Sequence, residues 1–391
     1  MNKITTLGVD LAKTVFQLHG VDVAGKIVLR REVRRGQLMT TIAQLERCLI
    51  GIEACGGANY WARRFAEFGH QVKIMSPQFV KPYRKSDKND RNDAEAICEA
   101  VARPSMRFVA VKSVEQQDML TMHRVREGLM KERVALINRI RGSLSEYGIV
   151  IAKNVSNLRR ELPGILEDAE NELTVAARQL FSDLYEDLGA REQRIAHLER
   201  SIRALGSQHD VVRRLETVPG IGYLSATALY GAVADAKNYK NGRQLAAWMG
   251  LVPRQSSSGG KQRLLGITKR GDKYLRKLLV HGARSIATRA QRTPRPHDQW
   301  LNDLRERRGK PRSYVAQANK TARIAWAIMA KGEVYRAPVA TLVRDLRNVQ
   351  NTSDAPGTCF ARSLILLTSL SSKTPNVLHS PNSIPLRNSP K

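Results

Sequence analysis

The order in which hydrophobic patterns follow one another over the first 110 residues limits the fold more than any other feature of the chain. The apolar run "ITTLGVD" ends on Asp10. "TVFQLHGVD" and "KIVLRREV" follow, with turn signals at Gly20 and "VAGK", and together they predict a three-strand meander. A helical stretch over "GQLMTTIAQLERC" leads to "LIGIEACGG", a buried strand ending on Glu53. "NYWARRFAEFG" reads as a helix closed by Gly69, and "QVKIMSP" as a strand stopped by Pro77. From about 88 to 103 the spacing predicts a helix with Ala94, Ile97, Cys98 and Val101 as its apolar stripe. Hairpin strands first, then helices alternating with strands, predict an α/β domain on a mixed sheet.

That order fits a ribonuclease H-like fold over residues 1–112. From 113 to 147 the pattern changes: there is no proline, and apolar residues recur near Met122, Leu129, Leu136, Ile140 and Leu144. A second long amphipathic run covers about 165–205. Two such runs over 113–205 predict an arm, either a plain antiparallel helical hairpin or a coiled coil, and either suits dimerisation. Residues 206–335 read as a mainly helical third part. The tail, 336–391, turns rich in Ser, Asn, Pro and Thr from about 349, cannot bury much apolar surface, and is expected to be disordered.

The chain carries 65 Lys and Arg against 36 Asp and Glu, a net charge of +29. Such an imbalance speaks about partners rather than fold, and nucleic acid is the polyanion it suits. Between Gly259 and Gly332 there are 19 Lys and Arg against four Asp and Glu. No apolar run approaches the roughly 20 residues of a spanning helix, and "MNKITTLGVD" lacks the apolar core of a signal peptide. A cytoplasmic protein with no membrane partner is expected. Cys48, Cys55, Cys98 and Cys359 form no C-x-x-C pair, so reduced thiols are expected rather than zinc ligands or disulfides.

Four acids stand at element ends. Asp10 and Glu53 close strands, and Asp90 and Asp93 in "KNDRNDAEA" open a helix one turn apart, on one face. In a mixed sheet the ends of neighbouring central strands adjoin, so the four carboxylates can converge. Like charges that close repel unless cations sit among them, and oxygen ligands select hard ions such as Mg²⁺. Two ions about 3.5–4 Å apart can clamp the attacking and leaving oxygens of a phosphoryl transfer. The competing reading makes Asp90 or Asp93 a plain N-cap. The small residues Cys55, Gly56 and Gly57 after Glu53 leave room for close backbone approach. Lys13, Lys85, Lys88 and Arg91 place cations beside the acids, to hold phosphates or simply to face solvent.

A second candidate site is "PRQSSSGGKQR", where Ser256, Ser257 and Ser258 precede two glycines among Arg254, Lys261 and Arg263. A serine needs activation to attack, and no histidine lies near in sequence. The same letters also describe a flexible Ser/Gly loop. Lys269 and Arg270 lie just beyond. "VPGIG", with Gly220 and Gly222 between helical runs, resembles a helix-hairpin-helix turn that offers backbone N–H groups to phosphates. A plain helix–helix turn is the alternative.

Together "GVDLAK", "GIEACGG", "KNDRNDAEA", "VPGIG" and "GLVPRQSSSGGKQRLLGITKRGDKYLRKLL" resemble the DEDD-type transposases of the IS110 group of bacterial insertion sequences, relatives of the pilin-gene invertases. The match runs in the family's order of parts from about residue 5 to residue 335. It implies a domain like the Holliday-junction resolvase RuvC, a coiled-coil middle and a C-terminal transposase domain. It places an acidic tetrad on Asp10, Glu53, Asp90 and Asp93, and the catalytic serine, just before the glycine, on Ser258, with Ser256 and Ser257 adjacent. It further implies a transient serine–DNA link, donor and target DNA as substrates, and an element-encoded guide RNA that pairs with both. The same resemblance implies a homo-oligomer, a dimer or dimer of dimers, at the nucleoid. The tail fits nothing the family needs. Two other readings remain: a metal-dependent junction nuclease with an idle serine, and a nucleic-acid-binding protein without catalysis.

Overall fold

The computed structural model describes residues 3–85 and 89–337. The meander is β1 (Thr6–Asp10), β2 (Val15–Val21) and β3 (Ile27–Arg34), paired antiparallel. Gly20 is not its turn but an interior residue of β2 at a register shift. The turn after β2 is held by Asp22, whose carboxylate accepts the N–H groups of Ala24 and Lys26 at 2.9 Å. Next come α1 (Arg35–Ala43), β4 (Leu49–Glu53), α2 (Ala58–Glu67) and β5 (Gln71–Met75). Pro77 stops β5 as expected and also opens the short α3 (Pro77–Val80). Helix α4 (Asp90–Val101) follows, and then β6 (Phe108–Val109), two residues that sequence patterning did not reveal.

The sheet order is β3-β2-β1-β4-β5-β6, with β4 parallel to both β1 and β5. This mixed sheet is consistent with a ribonuclease H-like fold. Period-two alternation divides its faces. Leu7 and Val9 are fully buried in one cluster with Phe16, Ile42, Trp61 and Phe65 of β2, α1 and α2. Gly8, between them, faces α4 on the other side.

Helix α5 (Val114–Ser145) opens on a capping box between Ser113 and Gln116, which satisfies two orphan backbone donors. Its 32 residues span roughly 48 Å. Helix α7 (Val175–Ser207) runs antiparallel to it, as three cross-links show: Arg126 with Glu199, Glu132 with Arg191, and Arg133 with Glu192. The expected stripe of Leu129, Leu136, Ile140 and Leu144 is buried. At its start, however, Met119 and His123 are buried where Met122 was expected. Between the long helices lies α6 (Val155–Glu167), an element the sequence reading passed over because Pro163 interrupts it. Leu158 and Leu162 of α6 fill the distal core with Leu144, Phe181 and Leu188.

The last part contains α8 (Asp210–Glu216), α9 (Tyr223–Val233), α10 (Gly242–Trp248), the two-stranded β7 (Pro253–Gln255) and β8 (Leu264–Ile267), α11 (Lys273–Arg292), α12 (Gln299–Arg308) and α13 (Lys310–Lys331). Helix α9 is apolar on all sides and packs against α5, α7, α8 and α11. The expected tail lies, from residue 338 on, outside the described residues. No helix among the described residues is long and apolar enough to cross a membrane.

His123 joins three of these helices. From α5 its Nδ1 meets the Tyr274 hydroxyl of α11 at 2.9 Å, and its Nε2 meets the Thr227 hydroxyl of α9 at 3.0 Å. Burial, with Arg126 nearby, pushes its pKa down from 6.5 to about 4. The fold therefore holds the neutral ring. That stability is complete above about pH 6.5 and is lost as pH falls toward 4. In urea unfolding, the advantage of wild type over His123→Gln should shrink by roughly 2–3 kcal/mol between pH 7 and pH 4.5. A constant gap across that range would mean another group titrates.

Candidate active site

The acids meet because of how strands and helix are stacked. Strand β1 pairs in parallel with β4 in the register Val9↔Ile52, so Asp10 and Glu53 finish neighbouring strands at one edge. Helix α4 crosses β1 and β4 at very close range. A Cβ on Gly8 would stand 2.2 Å from the Ala94 carbonyl oxygen and 2.5 Å from the Cys98 nitrogen. A Cβ on Gly51 would stand 2.8 Å from the Val101 Cβ. Seated this way, the first turn of α4 brings Asp90 and Asp93 to Asp10, and one carboxylate oxygen from each lies within 4.8 Å of the others.

The alternative of plain N-capping is answered by Asn89. It is the N-cap, and its side chain accepts the Asn92 N–H at 2.8 Å. Asp90 and Asp93 sit inside the first turn, where the positive end of the helix dipole offsets part of their repulsion. Arg84 binds Asp93 at 3.2 Å and is mostly buried. Sequence reading missed Arg84, since nothing in its surroundings separates it from the neighbouring lysines. Glu53 is outside the three-carboxylate group. It is nonetheless close enough to act on Cys55: burial pushes that thiol's pKa up, and Asp10 and Glu53 push it the same way.

Of the expected cations, Lys13 and Arg91 are exposed, and Lys88 lies outside the described residues. Lys85 is engaged with Glu95 at 2.8 Å, and Arg30 binds the same carboxylate at 3.2 Å. The space beside Gly56 is open: a Cβ there would meet nothing within 4 Å. The glycines held tightly beneath α4 are Gly8 and Gly51, inside strands.

The serine segment is a β-hairpin rather than an irregular loop. Strands β7 and β8 pair antiparallel, and an isolated bridge joins Ser258 to Lys261. Gly259 and Gly260 have φ values of 54° and 76°, the left-handed pair that a tight hairpin turn requires. Arg254, Ser256, Ser257, Ser258, Lys261 and Arg263 are all exposed. Ser257 is anchored: its hydroxyl accepts from Gln255 Nε2 at 3.0 Å and from the Arg263 N–H at 3.3 Å. The Ser258 hydroxyl makes no such bond among the described residues and stands at the entrance to the turn.

Lys269, with φ 55°, and Arg270 belong to a connection packed on Gly250, where a Cβ would stand 2.1 Å from the Arg270 carbonyl oxygen. Gly220, with φ 80°, lies in the turn between α8 and α9. That left-handed φ favours glycine, and a Cβ there would also stand 2.6 Å from the Ile286 Cδ1 and 3.0 Å from the Gly282 carbonyl oxygen. Gly222 is exposed and opens α9. The three carboxylates thus form an all-oxygen donor set suited to a hard divalent cation, and Ser258 offers a hydroxyl on a separate element.

Two family descriptions match the chain. One, "Transposase IS116/IS110/IS902 family", matches residues 212–300, and the other, a transposase family of the DEDD IS110 type, matches residues 7–149. The chain is 46% identical over 336 residues to the transposase for insertion sequence element IS1111A of Coxiella burnetii, covering 86% of this chain and 92% of that one. It is also 46% identical over 334 residues to the "Probable family 20 transposase" of Pseudomonas aeruginosa, covering 85% and 99%. The transposase for insertion sequence element IS1328 of Yersinia enterocolitica is 40% identical over 335 residues, covering 86% and 99%.

The seat of α4 generates a stability prediction. Gly8→Ala forces a methyl group into the Ala94 and Cys98 backbone and should lower unfolding free energy by about 1–3 kcal/mol, the usual range for overpacking. Gly56→Ala, with open space around it, should change it by less than about 0.5 kcal/mol. Equal effects in chemical denaturation would show that the helix does not rest on Gly8.

Proposed function

The chain belongs to the IS116/IS110/IS902 family of transposases, and from that premise we propose how it cuts and rejoins DNA. It is a DNA transposase. In our reading Asp10, Asp90 and Asp93, with Glu53 beside them, hold Mg²⁺, two ions when the site is complete. When bound, the metal polarises the scissile phosphate and eases loss of the proton from the attacking hydroxyl. The observation that carries this is the three-carboxylate cluster within 4.8 Å, which family membership and the all-oxygen donor set turn toward a divalent ion.

The chain's own groups supply the rest. Arg84 steadies the Asp93 carboxylate. The Ser258 oxygen forms a bond to phosphorus while the bond to the leaving sugar oxygen breaks, and the released sugar oxygen takes up a proton. Rejoining reverses the exchange, as a strand hydroxyl displaces the serine. Lys13, Lys88, Arg91, Arg254, Lys261, Arg263, Lys269 and Arg270, with the N–H groups at Gly220 and Gly222, hold backbones of donor and target DNA and of an element-encoded guide RNA. The division into a catalytic part over 1–112, a coiled-coil arm over 113–205, a helix-hairpin-helix-bearing serine part over 206–335 and a tail belongs to the same proposal. So does a shared site. Ser258 and the acids stand about 165 residues apart in the chain, and the acids of one subunit serve the serine of another in a dimer or dimer of dimers.

Asp10→Asn should abolish strand cleavage while nucleic-acid binding stays within about twofold, because removing one charge hardly changes the electrostatic grip. Ser258→Ala should abolish the covalent protein–DNA adduct seen on denaturing gels. Mixing the two proteins should restore part of the recombination, since a mixed assembly contains one intact composite site. Cleavage that leaves free ends and no adduct in wild type would point to a nuclease. A mixture that stays dead, although each variant folds and associates, would end the shared-site model.

A further inference from the structure

A wide groove of about 1700 Å³ opens between α10, β8, α12 and α13. Its lining is mainly apolar and contains no Asp or Glu. Five cations line it: Arg243, Arg308, Arg312, Lys320 and Arg323. Among the described residues none of the five forms an ion pair, although arginines elsewhere in the chain are widely paired with acids. Trp300 stands at the rim with 42% of its surface exposed, and Lys320 Nζ lies 4.9 Å from its ring centroid. The Trp326 indole donates to the Ala236 and Tyr239 carbonyls at 3.1 Å, so this part of the lining is rigid. Leu264 and Leu265 of β8 form another wall.

Each feature narrows the occupant. The groove exceeds the usual 300–1,000 Å³ of a small-molecule pocket. An apolar partner surface would not call for five unpaired cations, and a duplex would reach the cations through its phosphates but keep its base faces stacked inside. A strand with unpaired bases satisfies both halves of the lining. Its phosphates meet the cations, and a base face covers the exposed indole, as in sequence-tolerant single-strand grooves. We propose that this groove binds an unpaired nucleic-acid segment, with a base stacked on Trp300 and the backbone held by Arg243, Arg308, Arg312 and Arg323. The occupant then runs along β8, whose hairpin carries Ser258 at its turn, so a strand opened for cutting is kept open beside the proposed nucleophile. The ligand class rests on the transposase reading; the location rests on the groove.

The test measures binding of the full chain to fluorescent strands of about 12 nucleotides, oligo-dT and oligo-U, and to a duplex of the same length. Trp300→Ala should weaken single-strand binding roughly tenfold and leave duplex binding within about twofold, whereas Trp300→Phe should retain most of the affinity. Arg308→Gln with Arg312→Gln should also weaken single-strand binding and flatten its salt dependence. Equal losses for oligo-dT and oligo-U assign the groove to unpaired strands of either kind, and a loss confined to one names DNA or RNA as the source. Unchanged single-strand binding in Trp300→Ala, or an equal loss for the duplex, overturns the proposal. So does a change confined to self-association in sedimentation, which would make the groove a contact between copies of the chain. Strand binding requires no cleavage, so this result and the Asp10→Asn result can fail independently.

Discussion

How near one helix comes to one sheet decides the geometry of the candidate active site. A helix on a sheet is normally held off by side chains on both surfaces. Here Gly8 and Gly51 remove the side chains from two neighbouring strands beneath α4, and the helix settles until its backbone at Gly8, and the Val101 and Ile97 side chains at Gly51, occupy the space where Cβ atoms would be. The first turn of α4 then lies level with the ends of β1 and β4. Three carboxylates within 4.8 Å are the consequence. Their mutual repulsion is a cost borne by the packing beneath them, where Ile97, Ala100 and Val101 are buried with Met75 and Val80. Asn89 as N-cap keeps the acids from being spent on capping, and Arg84 offsets part of the charge.

The second organising contact is α9. Its small residues let α5, α7, α8 and α11 approach together, and Gly231 meets Leu120 and Gln116 of α5 with contacts near 3.0 Å for a hypothetical Cβ. The base of the arm is thereby part of the helical core, not a linker. Gln116 serves both ends of this joint: it completes the capping box of α5 and donates to the Ala234 carbonyl after α9 at 3.1 Å. His123 adds polar specificity to the same contact. A buried ring with a hydroxyl at each nitrogen leaves no unsatisfied group, which is what makes a polar residue tolerable there.

Much of the sheet was legible because burial on both faces produces apolar runs and because turn chemistry marks their ends. "ITTLGVD", "LIGIE" and "QVKIM" are such runs. The elements missed carry weak or contradictory local signals. Strand β6 has two residues, and α6 holds Pro163. Strands β7 and β8 are almost wholly exposed, so no alternation of buried and exposed positions was there to be read. Within the candidate site, strand and helix ends announced the acids. The close helix–sheet contact at Gly8 and Gly51 was not legible, because sequence shows where small residues occur and not what lies above them. The pairing of Arg84 with Asp93, and the nearness of Cys55 to Asp10 as well as to Glu53 two residues before it, come from three-dimensional packing. The groove beside β8 was equally invisible, since its lining is drawn from residues 241 to 327 on several elements.

Charge is arranged differently along the chain, and the difference bears on function more than the total does. In the arm, arginines are used internally: Arg126, Arg133, Arg159 and Arg191 each meet a glutamate across the helices or beside them. Those cations fix the helices and offer little to a polyanion, because their fields are cancelled at short range. Strands β7 and β8 and helix α13 contain no acid, and Arg243, Arg308, Arg312, Lys320 and Arg323 face an apolar groove without acidic partners in its lining. Desolvating a cation there gains nothing until an anion arrives, so the groove's electrostatics favour an occupied state. A polyanion with aromatic faces matches that lining chemically at every point, and it would lie beside the hairpin of Ser258. The acidic sheet edge presents the opposite field, which repels phosphates unless cations intervene. In the proposed reading, one polypeptide pairs a groove that would attract a nucleic-acid strand directly with an acidic centre that would accept its phosphate once the carboxylates are neutralised, and this asymmetry would keep binding separate from cleavage.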